Sequence, residues 1–143
     1  MRLFHDERGI ASVAALLLLA TAISLTLTII AIAKNEQKDT YRYIVETRLQ
    51  FAAEDNAAMF IKRMETGELP KGRFVNPNEE ILFSDSREND IRRRIYIKGA
   101  SSGITVYSFA DAKNKMTGLN MYKQIRFFME QTDNGYVFKH ILP

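Results

Sequence analysis

With 143 residues, and 20 Lys and Arg set against 17 Asp and Glu, the chain carries a formal net charge of +3, too mild an excess to imply nucleic acid by itself. It contains no cysteine, which excludes a disulfide framework, a thiolate metal site and a cysteine nucleophile. Apart from one long uncharged run, about a hundred residues remain, enough for one modest domain and too few for two.

The chain opens on a short polar leader, Met1 to Arg8, and then reads GIASVAALLLLATAISLTLTIIAIA from Gly9 to Ala33 before Lys34 closes the run. An α-helix crosses a bilayer core with about 20 apolar residues, and this run is longer. In water it would expose apolar surface all round, so lipid or a packed partner must cover Val13, Ala14, Leu17, Leu18, Leu25, Ile29 and Ile30. Three readings of this end stand. A secretory signal cut after Ala31-Ile32-Ala33 meets the small-x-small rule, but the apolar part far exceeds the usual ~7–15 residues and the leader carries Asp6 and Glu7. A plain uncleaved anchor is the second, with Arg2 and Arg8 balanced by Lys34 and Lys38 so that flanking charge sets little orientation. The third takes Gly9 as a processing site, since glycine lets the chain turn out of the leader and fit closely in a protease.

Between Gly9 and Gly67 there is neither glycine nor proline, so one helix is expected to run through. After the polar collar Lys34 to Asp39 the pattern becomes striped, and Tyr41, Val45, Leu49, Ala52, Met59 and Phe60 share a face expected to pack on a head domain. Asn56 falls on that face too, where a hydrogen bond to the packed domain is one outcome. Arg42, Glu46, Arg48, Glu54 and Asp55 read as a solvated flank with spaced ion pairs. Thr66-Gly67-Glu68-Leu69-Pro70 marks the stop, glycine taking the left-handed position and proline preventing resumption.

The C-terminal half reads as strands. Asn76-Pro77-Asn78 is a turn, Ile81-Leu82-Phe83 a short apolar run with strand character, and Ser84 to Asp90 a polar loop. That loop lacks the spaced ligands of a calcium loop of the EF-hand type. Ile91, Arg93, Ile95 and Ile97 alternate with Arg92, Arg94, Tyr96 and Lys98. Gly99 to Gly103 is the expected turn into Ile104–Phe109, a polar loop leads to Leu119–Gln131, and Asp133-Asn134-Gly135 is a hairpin signal into Tyr136–Leu142. Four short strands joined by hairpins imply an α+β fold, a small antiparallel sheet with the striped helix half as its cover. Arg87, Arg92, Arg94 and Lys98 form the one basic patch. It reads first as a charged strand face and edge, and less readily as a DNA contact, because Arg92, Arg93 and Arg94 cannot all point one way in a strand. There is no glycine-rich phosphate loop and no pair of histidines at metal spacing, His140 being alone beyond the leader. Neither an enzyme nor a cofactor is expected.

Arg8-Gly9-Ile10, a charged leader ending in glycine before an apolar helix, resembles the prepilin signal of type IV pilins and type II secretion pseudopilins. The half-apolar, half-striped helix resembles theirs as well, as does Arg48 to Ala58 with its Ala-Ala-Glu, similar to K-type and related minor pilins. The resemblance covers the N-terminal half. It implies a cut by prepilin peptidase after Gly9, methylation of the new N-terminus at Ile10, and four parts: residues 1–9 as leader, 10–33 as membrane and filament-core helix, 34–67 as its amphipathic continuation and 68–143 as the head. It implies other pilins, the peptidase, a membrane assembly platform and the bilayer as partners, with the head outside the cytoplasmic membrane. One departure is informative. Most major pilins carry Glu at the fifth mature position, where it neutralises a neighbour's N-terminal amine; here that residue is Ala14. An ammonium buried without a partner is costly, so the departure implies a minor subunit that starts or caps a filament. The alternative is a bitopic anchor with an extracytoplasmic binding head.

Overall fold

The computed structural model describes residues 3–67 and 76–143. Pro70 and the rest of the expected connection from Glu68 to Val75 lie outside the described residues. The chain divides into two units, Met1–Tyr41 and Arg42–Pro143. One helix, α1 (Leu3–Glu65), supplies the first unit and the start of the second. It ends where glycine was expected to end it. The Thr66 amide and hydroxyl both donate to the Lys62 carbonyl at 2.9 Å, and Gly67 takes φ +72°, a conformation that costs a residue with a β-carbon more.

The second unit holds five strands, β1 (Glu80–Glu88), β2 (Ile91–Ala100), β3 (Gly103–Lys113), β4 (Asn120–Thr132) and β5 (Gly135–Leu142), paired antiparallel in chain order. The strand character read at Ile81-Leu82-Phe83 is present as the start of β1, a fifth strand beside the four counted, and its length corrects the reading of Ser84 to Asp90 as a loop. Ser84 to Glu88 pairs with Ile91 to Ile95, and only Asn89-Asp90 turns, with φ of 48° and 70°. Two positive φ values in a two-residue link give the type I′ hairpin, whose twist matches the strands. Asn and Asp tolerate that region better than other residues with a β-carbon. The expected turn from Gly99 to Gly103 likewise shrinks to Ser101-Ser102, because Gly99 pairs with Ile104 and Ala100 with Gly103. The turns at Asn76-Pro77-Asn78 and Asp133-Asn134 fall where expected. The Glu79 amide donates to the Asn76 carbonyl at 3.1 Å, and Thr132 pairs with Gly135.

Alternation gives the sheet an inner face. Ile95, Ile97, Ile104, Val106, Ala110, Phe127 and Met129 are buried there, and Leu49, Ala52, Ala53, Ala57, Phe60 and Met64 of α1 are buried against them. Phe60 sits at the centre, edge-on to Phe83 at 5.1 Å and 6.3 Å from Phe127. Of the residues expected to pack on the head, Leu49, Ala52 and Phe60 are buried and Val45 is partly buried against the cluster. Met59 is a correction, since it is 45 % exposed. Val45, Leu49, Ala53 and Ala57 step by four residues, and each step turns the contact line by about 40° round the helix. By the level of Met59 the line has wound away from it. Tyr41 is half-buried and belongs to the first unit.

A small polar cluster crosses this core. Ser108 is fully buried in β3 and donates its hydroxyl to the Ala53 carbonyl at 2.8 Å, while the Asn56 amide donates to Ser108 Oγ at 3.4 Å and to the Arg94 carbonyl at 3.5 Å. The expected hydrogen bond of Asn56 is thus present. A buried hydroxyl bonded both ways fixes the register of helix on sheet in a way that interchangeable apolar contacts do not. Ser108→Ala is expected to cost about 1–2 kcal/mol by urea unfolding of the detergent-solubilised chain. In a double-mutant cycle the loss should not add to that of Asn56→Ala.

Candidate functional site

The first candidate surface is the apolar half of α1. Within Gly9–Glu65 lies a span long and apolar enough to cross a membrane, and none of that span is buried in the folded chain. Ile10, Val13, Ala14, Leu17, Leu18, Leu25, Ile29 and Ile30 are all exposed, Leu18 to 71 %. Single exposed leucines are ordinary on a soluble surface, but a whole helical stretch of them marks a surface that meets lipid or protein. Three threonine hydroxyls within it are bonded to the helix's own carbonyls. Thr21, Thr26 and Thr28 donate to the carbonyls of Leu18, Ala22 and Ser24 at 2.8, 2.8 and 2.9 Å, which satisfies their protons without water.

Gly9 lies inside the helix, where a β-carbon would meet nothing within 4 Å. Glycine in a helix interior costs about 0.5–1 kcal/mol relative to alanine. Packing within this chain therefore gives no reason for glycine at position 9.

The second candidate was the basic patch. Here the structure brings Arg92, Arg93, Arg94 and Lys98 each together with an acid. Arg92 donates from Nε to Asp85 Oδ1 at 2.8 Å and also pairs with Oδ2. Arg94 reaches Asp111 at 2.6 Å and the Tyr96 hydroxyl at 3.3 Å. Lys98 lies 3.6 Å from Glu80. Arg87 stands opposite Arg92 in the β1–β2 register. Arg93 points to the other face, toward Asp55 of the helix at 3.0 Å and Glu88 at 3.3 Å, as the alternation required. The hydrogen bond from Arg92 holds the Asp85 carboxyl below its ordinary value, and the one Arg94 donates to Asp111 raises Arg94. Paired charges split between two faces do not form a continuous phosphate track. Asp85 and Asp111 were legible only as surface charge, since their pairing depends on strand register.

Among the described residues no three His, Asp or Glu side chains converge as a metal site. His140 is exposed and lies beside Phe128, ring centroids 5.9 Å apart. No protein-family model matches the chain, nor does any curated protein or solved structure.

Proposed function

We propose that the chain is a minor pilin or pseudopilin, cut after Gly9 by a prepilin peptidase and drawn from the cytoplasmic membrane into a type IV pilus-like filament. The observation that carries this reading is the pairing of a glycine without a packing role and an exposed apolar helix immediately after it. The work is mechanical rather than catalytic. The apolar helix waits in lipid, the head folds on the far part of the same helix outside the membrane, and assembly exchanges lipid contacts for contacts with sister helices. Ala14 leaves a neighbour's terminal amine without a carboxylate, which favours a place at the start or tip of the filament over a repeated place in its shaft.

Gly9→Val separates this reading from a bitopic anchor. A β-carbon at position 9 has open space, so folding and membrane insertion are expected to stay intact. In cells with the processing enzyme the wild-type chain should lose its first nine residues, while the variant should keep them and drop out of filament fractions. Equal length for wild type and variant, both intact, supports the plain anchor instead.

A further inference from the structure

We infer that the outer face of the sheet, turned away from the helix, is a binding site for a neutral glycan chain. Strand alternation and register gather Arg94 and Tyr96 of β2, Tyr107 and Phe109 of β3 and Gln124 of β4, Tyr96 standing opposite Tyr107 and Phe109 opposite both Arg94 and Gln124. With Glu80 at the rim they line an open depression of about 420 Å³, a size in the usual range for small-ligand sites. Tyr122 lies on the same face two residues from Gln124, is 68 % exposed, and prolongs the aromatic strip along β4.

The chemistry of the lining selects among ligands. A ligand cation finds Tyr96 and Phe109 already facing a cation, the Arg94 guanidinium 5.9 Å from both ring centroids, which repels a second positive charge. An anion would have to displace Asp111 from Arg94. A flat base finds Tyr96 and Phe109 edge to face, 5.6 Å apart at 87°, rather than as a stacking platform, and the paired charges leave no track for its phosphates. A wholly apolar ligand would desolvate Glu80, Arg94 and Gln124 for nothing. A pyranose satisfies all four conditions. It lays a C–H face against Tyr107, gives hydroxyl protons to the Glu80 carboxylate and the Gln124 carbonyl, and accepts from the Gln124 amide. The open side lets a polymer pass across. The proposed site does not involve Gly9 or the apolar half of the helix.

The test uses the full-length protein in a detergent without a sugar headgroup, with chitotetraose, cellotetraose and maltotetraose as probes in saturation-transfer NMR. At least one is expected to bind with a Kd of about 1 mM or tighter, and Tyr107→Ala and Gln124→Ala should each weaken it at least about tenfold with unchanged far-UV circular dichroism. Because the three probes differ in N-acetylation and linkage, the pattern identifies the class of glycan. No binding up to about 10 mM, or binding indifferent to both variants, overturns the inference. So does preferential binding of an oligo(dT) that weakens with salt, which would make the face a single-strand nucleic-acid surface.

Discussion

Gly103→Ala is expected to be the most damaging conservative change in the chain, lowering stability by about 4 kcal/mol and the midpoint of thermal unfolding by at least about 15 °C. A β-carbon built at Gly103 falls 2.1 Å from the Met129 carbonyl oxygen and 3.0 Å from the Glu130 α-carbon. Both atoms are backbone of the neighbouring strand, so no rotamer change relieves the clash. The strands must part at the point where Gly103 links Ala100 of β2 to Glu130 of β4. This is glycine used for close approach of two backbones. Ser102→Ala, one residue away in an exposed turn, is the control, and it should move the midpoint by no more than about 0.5 kcal/mol equivalent. Thermal circular dichroism of the two variants checks the contrast. A Gly103→Ala protein as stable as wild type would mean that β3 and β4 are not paired in this register.

Phe60→Ala is the second large loss, about 3–5 kcal/mol. Phe60 is 2 % exposed and joins helix, β1 and β4 through Phe83 and Phe127. Truncation removes the ring's transfer free energy and leaves a cavity that three elements would have to collapse to fill. Met59→Ala is its neighbour and its comparison. Since Met59 lies on the receding flank, the cost there should fall below about 1 kcal/mol. A denaturant series on both variants reads the difference. Similar losses would mean that the helix packs on the sheet through another face.

These contrasts show what a single sequence carries. The long helix was legible because an uncharged run and the lack of glycine and proline are local facts, and so was its end at Gly67. The sheet was legible through alternation, which also placed Arg93 on the face opposite Arg92 and Arg94. The first strand was partly hidden. Ser84 to Glu88 is an edge segment whose polar side chains discourage unwanted pairing, and that composition looks like a loop. Its turn, Asn89-Asp90, has no glycine to announce it. Gly103 was read as a turn residue, because the carbonyl that forbids a side chain comes from 26 residues later in the chain, at Met129. Met59 was misplaced for a related reason, since a helical wheel assumes a straight stripe and a helix laid on a twisted sheet is touched along a winding line. The ion pairs that divide the basic patch also depend on register. They became visible only with the strands aligned.

The proposed role depends on what happens to the N-terminus in the cell, and the mass of the intact protein purified from its native membrane reads that directly. A chain that begins at Ile10 and is heavier than its sequence by one methyl group is the predicted result. A chain that still begins at Met1, from cells whose other prepilins are processed, would contradict it.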